Sequence, residues 1–319
     1  MKKLLLPLTL ASTLFAHHGV ASLGNAGLEG PGAPLETSSS ATLPKNSVLL
    51  YYKLDHSEYE RGLIKGEPEG KYNTYNMYGI GYGFTSYLSA YLFLPYHAKI
   101  DETNSGTAGF ADMSLMVTLG FTGDGLIPET ESLDDMEEWH YAVYGGMTLP
   151  TGNYKLKDEN GQPIDPGSQL GFGKSAYTLG FAATKQLSPE FTTVFDLSTI
   201  RFQENDFSGT KVKYGDENRL NVAGVYKLHT NAATKFRLDG DLELNYLGLG
   251  RDEVDGKGED ATGGDILYGI AGVRLYKDSS SVGLGVKLPV ATNLNESSDQ
   301  QGAEGKESYR IIFTLSTLF

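Results

Sequence analysis

The 319-residue sequence has no cysteine, one tryptophan and, after Phe15, no long apolar run. Without cysteine the chain has neither disulfide bonds nor thiolate metal sites. Mean hydropathy is −0.28, and no stretch approaches the roughly 18 apolar residues of a transmembrane helix, which excludes a helical membrane protein. Lys and Arg, 26 against 40 Asp and Glu, form no phosphate-binding stripe, so we expect no nucleic-acid partner.

Glycine and tyrosine, by contrast, are abundant at 40 and 20 residues. Glycine permits the bends of curved sheets, and aromatic residues are frequent where a sheet meets a membrane surface. The composition is therefore typical of an exported β-sheet protein.

The N-terminus has the organisation of a secretory leader. Met1-Lys2-Lys3 is cationic, and Leu4 to Phe15 is apolar but too short to anchor a helix in a membrane. Small residues at Ala16 and Ala21 offer two cleavage positions. The predicted regions are a signal peptide at 1–16 (alternatively ending at 21), an N-terminal segment at 17–45 and a β-barrel at 46–319.

The last twelve residues, 308–319, alternate as a strand between two environments does. One face is apolar and carries Tyr309, Ile311, Phe313, Leu315 and Phe319; the other carries Ser308, Arg310, Thr314 and Ser316. A strand with one lipid-facing side and a terminal aromatic is typical of the end of an outer-membrane β-barrel. The five apolar residues resemble the C-terminal signal recognised by the barrel-assembly machinery, although Thr317 stands where a larger apolar residue is usual.

Period-two alternation recurs along the chain in about 12 segments of roughly 9–14 residues, the length of tilted strands that cross a bilayer. They lie at 47–60, 73–83, 86–97, 111–121, 139–149, 174–186, 191–203, 217–228, 234–247, 265–277, 280–290 and 306–319. We predict an all-β fold, a transmembrane antiparallel β-barrel of about 12 strands.

The connections between these segments alternate between short turns and long polar loops. That alternation is typical of an up-and-down barrel with both termini in the periplasm and its long loops outside the cell. Residues 122–138 break the alternation with a long acidic connection, so barrels of 10 or 14 strands remain open. The rival interpretation, a soluble β-sandwich, predicts shorter strands around one continuous apolar core.

The inward faces of the predicted strands mix aromatic and charged residues. Segment nine is the clearest, because its charges alternate with lipid-facing leucines and must face water or each other. The predicted lumen and transport path contains Tyr51, Lys53, Tyr91, Phe93, Tyr144, Arg237, Asp239, Asp241, Glu243, Tyr268, Arg274 and Arg310. The alternative is that these side chains pack the lumen and pair with each other.

The N-terminal segment has no strand pattern. It is either a periplasmic tail or a plug in the lumen, for which Leu23, Leu28 and Leu35 offer apolar side chains. If cleavage follows Ala16, the imidazoles of His17 and His18 beside a free amine would bind Cu²⁺ or Ni²⁺. No Ser-His-Asx grouping is apparent, so we expect no enzymatic activity and no cofactor.

Three motifs carry a resemblance to a known family. They are Leu149-Pro150-Thr151-Gly152-Asn153-Tyr154, the glycine-rich run from Pro166 to Gly180, and Gly109-Phe110-Ala111-Asp112. Together they resemble the outer-membrane proteins of the phenol-degradation meta-pathway transporter-like family. The sequence departs from the family's pattern at Ala176, where an aspartate is common. Ser22 to Gly27 is also similar, more weakly, to the N-terminal hatch of long-chain fatty-acid transporters.

Both resemblances imply passive uptake of small hydrophobic or aromatic molecules across the outer membrane. We therefore expect a passive outer-membrane channel in a Gram-negative cell, with outer-membrane lipid, the assembly machinery and small hydrophobic molecules as partners. Two alternatives remain open: a metal-handling barrel that uses His17 and His18, and a structural or adhesive barrel with a sealed lumen.

Overall fold

The computed structural model describes residues 32–60, 70–127, 137–295 and 307–319. Within these ranges, twelve long antiparallel strands form one sheet that closes on itself. They are β1 Val48–Tyr59, β2 Gly70–Thr85, β3 Leu88–Asp101, β4 Met113–Thr122, β5 His140–Leu149, β6 Tyr177–Ser188, β7 Phe191–Arg201, β8 Glu217–Asn231, β9 Phe236–Leu249, β10 Gly264–Lys277, β11 Ser280–Leu294 and β12 Glu307–Leu318. Each predicted segment overlaps one of these strands, so the predicted twelve-stranded barrel is confirmed.

Closure depends on pairing between the first and last strands. β1 pairs with β12 from Leu49 opposite Leu318 to Tyr59 opposite Glu307. Beyond that ladder, Val48 and Phe319 exchange two backbone hydrogen bonds of 2.9 and 2.8 Å. No backbone edge is then left open between the chain ends, as a barrel surrounded by hydrocarbon requires.

The outside of the barrel is apolar because one face of every strand carries large hydrophobic side chains. On β9, Leu242 is 68% exposed, Leu244 54% and Tyr246 40%. An apolar surface of this extent would be unstable in water, whereas lipid solvates it. The barrel therefore spans a membrane, and its polar face lines the lumen.

The predicted assembly-signal residues lie on this outer surface. Tyr309 and Ile311 are each 38% exposed, Leu315 is 42% exposed and Phe319 is 71% exposed; Phe313 is partly exposed. Their orientation agrees with the sequence pattern, and their role in assembly stays a prediction.

The prediction that Ser308 faces the lumen is wrong. A β-bulge shifts the register between β1 and β12, so that Tyr59 lies opposite Glu307 while Glu58 lies opposite Tyr309. Ser308 is the extra residue and is exposed, whereas Glu307 is buried. An extra residue reverses the alternation locally, and no sequence periodicity reveals it.

Several strands continue beyond their predicted ends on the side of the long loops. β11 extends to Leu294, and Thr292 and Asn293 still pair with β10. Backbone pairing does not need an apolar face, so the ladder continues above the membrane, where the alternation that identifies a strand disappears.

The ladder between β3 and β4 is interrupted near the extracellular side. The lower half of β3 pairs with β4, from Leu88 to Phe93, and its upper half pairs with the short strand Gly106–Phe110. Ala111 and Asp112 form the break between them. The predicted acidic connection lies at the opposite end of the barrel, and its residues 128–136 lie outside the described ranges.

Helical structure is short in the described ranges. It consists of two three-residue 3₁₀ turns, Pro166–Ser168 and Ala232–Thr234. Among the described residues, no helix has the length and apolarity needed to cross a membrane.

Replacing Leu242 by arginine tests the membrane-facing assignment. Leu242 lies at the middle of β9 and points outward, so Leu242→Arg should reduce the free energy of unfolding by about 2–4 kcal/mol, the cost of a cation at the bilayer midplane. Urea unfolding in lipid vesicles measures the change. The matched control is Glu159→Arg in an exposed extracellular loop, which should change stability by at most about 0.5 kcal/mol. Equal losses in the two variants would contradict the assignment.

Candidate functional site

The predicted lumen residues all lie inside the barrel. Eleven of the twelve are buried, and the Arg237 side chain is 12% exposed. The buried residues are Tyr51, Lys53, Tyr91, Phe93, Tyr144, Asp239, Asp241, Glu243, Tyr268, Arg274 and Arg310. Their position inside the barrel follows the alternation of the strands, and their part in transport stays a prediction.

Residues 32–43 occupy the lumen, and we call this segment the plug. Leu35, Thr37 and Ser40 are fully buried inside the barrel. Of the two arrangements that the sequence left open for the N-terminal segment, the described residues adopt the one within the lumen. Residues 17–31, which include His17, His18 and the hatch-like Ser22 to Gly27, lie outside the described ranges.

Three carboxylates on β9, here called the β9 clamp, hold the backbone of the plug. The clamp consists of Asp239, Asp241 and Glu243, which accept hydrogen bonds from plug N–H groups at 2.7–3.1 Å. The donors are Gly32 N to Asp239, Leu35 N to Asp241 and Glu243, and Glu36 N and Thr37 N to Glu243. Since a hydrogen bond to a charged group contributes about 1.5–3 kcal/mol, the clamp stabilises a backbone with no strand pairing of its own.

The Leu35 side chain anchors the plug by packing against glycines of the barrel wall. It lies against Gly272 of β10 and against Gly283 and Gly285 of β11. A Cβ atom at any of these glycines would lie less than 3.0 Å from a Leu35 methyl group. The absence of side chains on two adjacent strands therefore creates the space in which Leu35 packs.

Glu36 joins the plug to a second part of the barrel wall, formed by β1 and β11. Its carboxylate forms one ion pair with Lys53 of β1 and a second, of 3.1 Å, with Lys287 of β11. The Lys287 ammonium also lies 4.4 Å from the centre of the Tyr268 ring. The three charged side chains are at most 8% exposed. Leaving a buried charge without its partner costs about 3–5 kcal/mol, so Glu36 and the lysines depend on one another.

A cavity lies against the plug, and both apolar and polar side chains line it. Its apolar side is formed by Tyr51, Met77, Tyr144 and Ile200. Its polar side is formed by Glu36, Ser38, Lys53, Thr178, Asp196, Ser198, Arg219, Asn221 and Asn245. A small ring could contact the first set while its polar substituents bond to the second.

Asp196 organises one wall of this cavity and is absent from the predicted site. It accepts hydrogen bonds from the Tyr144 hydroxyl and, at 2.7 Å, from the Asn221 amide. Asp196 alternates with the inward Val194 and Ser198 on β7. The strand pattern therefore contained the signal that would have identified it.

At the extracellular mouth, Asp112 connects the three family motifs. Its two carboxylate oxygens accept hydrogen bonds from Gly152 N at 2.7 Å and Phe172 N at 2.8 Å. Thr151 Oγ1 accepts from Met113 N at 2.9 Å. Asp112 lies in the break of the β3–β4 ladder and thereby fixes both ends of the 150–173 loop. Its partners are 40 and 60 positions away in the sequence, so the sequence pattern did not reveal this role.

The 150–173 loop folds over the mouth of the barrel. Lys99 of β3 donates to the carbonyl of Gly167, and the Tyr214 hydroxyl donates to the Pro166 carbonyl at 3.0 Å. Burial raises the pKa of Asp165 in this loop to about 7, although its carboxylate accepts from Gly167 N at 2.6 Å. The loop therefore covers the lumen and carries a carboxyl group that titrates near neutral pH.

Aromatic residues of this loop and of the segment 202–214 pack together at the mouth, and we call them the mouth cluster. They are Tyr154, Phe172, Phe202, Phe207 and Tyr214, with ring centres 5.0–6.1 Å apart in edge-on pairs. Ala176 is buried with them, where a charged aspartate would need a partner. The departure from the family pattern at Ala176 thus suits an apolar environment.

Metal ligands do not converge in the described part of the chain. Within it, no group of three His, Asp or Glu side chains could hold a metal ion. His17 and His18 lie outside that part, so their metal binding stays a prediction.

Replacing Glu243 by glutamine tests the β9 clamp. The charge that three plug N–H groups share would be lost, so Glu243→Gln should accelerate hydrogen exchange at Leu35, Glu36 and Thr37 by about 10- to 100-fold. Mass spectrometry of the reconstituted barrel measures the exchange. Glu253→Gln, in a half-exposed loop pair with Lys213, is the control and should leave the plug unchanged. Unaltered exchange in Glu243→Gln would exclude the clamp.

Replacing Asp112 by alanine tests the anchor of the 150–173 loop. Loss of two hydrogen bonds to a carboxylate should lower the free energy of loop opening by about 2–5 kcal/mol and so expose the loop to proteases. Limited proteolysis of intact vesicles provides the measurement. Asp158→Ala serves as the control, because the Asp158 carboxylate accepts hydrogen bonds from its near neighbours in the chain, Asn160 and Gln162. Equal cleavage rates in the two variants would show that Asp112 is not the anchor.

A solved structure shares this fold. An outer-membrane channel from Pseudomonas putida F1 superposes with a TM-score of 0.65 at 16% sequence identity, over 88% of this chain and 98% of that one. The monoaromatic hydrocarbon channel CymD gives a TM-score of 0.39 at 9% identity, over 86% of this chain and 88% of that one. The first similarity supports the barrel fold.

No curated protein sequence matches this chain. A family model described as "Putative MetA-pathway of phenol degradation" matches residues 66–303, well over half of the chain. The match includes Asp112, the 150–173 loop and the β9 clamp, and it confirms the resemblance read from the motifs. The chain belongs to this family of the phenol-degradation MetA pathway.

Proposed function

We propose that the protein is a passive channel, without enzymatic activity, through which small hydrophobic or aromatic compounds cross the outer membrane. The observation that carries the proposal is the cavity beside the plug, which aromatic, aliphatic and polar side chains line inside a closed barrel. Such mixed walls suit an aromatic ring with a polar substituent. The family's description and the channel from Pseudomonas putida F1 support the same function.

The path begins at the mouth cluster, where aromatic rings of the 150–173 loop and of the segment 202–214 pack together. It continues through the cavity and ends at the periplasmic side of the plug. Because the plug is bonded to β9, β1 and β11, it must shift before a solute can leave. A twelve-stranded barrel is narrower than general porins of 16–18 strands, which favours selective passage over bulk diffusion.

The cavity also favours a channel function over a purely structural role for the barrel. A sealed barrel would have its lumen filled by side chains, whereas space remains between Tyr144 and Lys53. We further propose that Tyr309, Ile311, Phe313, Leu315 and Phe319 serve as the assembly signal, which their lipid-facing positions would leave accessible.

A tryptophan in the cavity wall tests the path. Ser198 lines the cavity, so Ser198→Trp should reduce uptake of radiolabelled phenol at least several-fold by filling the space. Uptake is measured in Gram-negative host cells, whose lipopolysaccharide leaflet slows hydrophobic solutes. Leu197→Trp is the matched control on the same strand, because Leu197 is 57% exposed to lipid and should leave uptake unchanged. Undiminished uptake in Ser198→Trp would refute the path.

A further inference from the structure

The wall that holds Glu36 has an excess of positive charge when the plug is left out. Lys53 of β1, Lys287 of β11 and Arg310 of β12 are three buried cations on this wall. Two wall carboxylates face them: Asp55 lies 3.2 Å from Lys53, and Glu307 pairs with Arg310. The third carboxylate is that of Glu36, from the plug.

We propose that the carboxylate of Glu36 occupies the binding site of a carboxylate on the permeant, so that the preferred solutes are small aromatic carboxylates. This inference rests on the proposed channel function and names its substrate class. An incoming carboxylate replaces Glu36 at Lys53 and Lys287 and thereby frees the plug at its attachment to β1 and β11.

The position of the lysines relative to the cavity supports the exchange. Lys53 and Glu36 both line the cavity, beside Tyr51 and Met77. A solute ring in the cavity would contact Tyr51 and Met77 while its carboxylate reached the Lys53 ammonium. No other group of the solute needs to enter the narrow space in which Glu36 lies.

The wall also has an unused donor. Arg310 lies opposite Lys287 in the β11–β12 ladder, and its Nε atom is buried without a hydrogen-bond partner in the described ranges. A carboxylate has two oxygens and about four acceptor positions. A solute carboxylate that is not tethered to the plug backbone could therefore bond to this donor as well as to the lysines.

The remaining plug contacts permit such an exchange without release of the whole segment. The β9 clamp binds backbone N–H groups, and Leu35 packs against glycines of β10 and β11. Neither contact involves the Glu36 side chain. The carboxylate exchange consequently breaks only the ion pairs of Glu36 with Lys53 and Lys287. The β9 clamp stays bound and can bring the plug back to its position after the solute has passed.

Benzoate and benzyl alcohol form the test pair, because they share a ring and differ in the carboxylate. Their uptake is compared in Gram-negative host cells that produce the wild-type barrel, Glu36→Gln, Lys287→Met or the control Lys257→Met, whose lysine is exposed in a loop. Glu36→Gln should raise the benzoate-to-benzyl alcohol uptake ratio, because the competitor is removed. Lys287→Met should lower that ratio about tenfold, the contribution of one hydrogen bond to a charged group.

Equal changes in the uptake of the two solutes in both variants would overturn the inference. An ion pair at Glu36 that only holds the plug in place would affect both solutes alike. If neither solute enters the wild-type cells faster than cells without the barrel, the channel function fails and the inference fails with it. If both solutes enter and the ratio is unaffected by every variant, only the inference fails.

A measurement on the wild-type protein avoids dependence on the folding of the variants. Benzoate should accelerate hydrogen exchange at Glu36 and Thr37 of the plug, and benzyl alcohol at the same concentration should do so at least several-fold less. Identical exchange with the two solutes would overturn the proposal.

Discussion

Backbone hydrogen bonding in a medium without water is the constraint on which this structure depends. Each N–H and C=O group at membrane depth needs a protein partner, so the sheet has to close between β1 and β12. Closure fixes which face of every strand meets lipid. It also encloses the opposite faces in a narrow lumen, where the charges of β1, β9, β11 and β12 cannot disperse into bulk water.

The plug provides hydrogen-bond and ion-pair partners for the charged side chains enclosed in the lumen. Its backbone N–H groups donate hydrogen bonds to the carboxylates of β9, and its single carboxylate, Glu36, pairs with Lys53 of β1 and Lys287 of β11. A segment without periodic structure can do both because its N–H groups are not committed to a ladder. The charged lumen and the plug therefore stabilise each other, and transport has to work against this pairing.

At the mouth of the barrel, one carboxylate likewise holds a segment that is not part of the barrel wall. One interruption in the β3–β4 ladder places the Asp112 carboxylate where the strand pairing stops. There it holds both ends of the 150–173 loop, through Gly152 and Phe172. The loop also bonds to Tyr214 of the mouth cluster through the Pro166 carbonyl. Deeper in the barrel, the plug borders the cavity through Glu36 and Ser38.

The sequence by itself determined the twelve strands, the lipid-facing residues and the inward position of residues such as Lys53 and Asp239, because period-two alternation is a local property of the chain. The tertiary structure alone decided how those residues meet. Glu36 lies 251 positions from Lys287, and Asp112 lies 60 from Phe172. Such pairs depend on the register and closure of the whole barrel, while the bulge that turns Glu307 inward depends on pairing with β1.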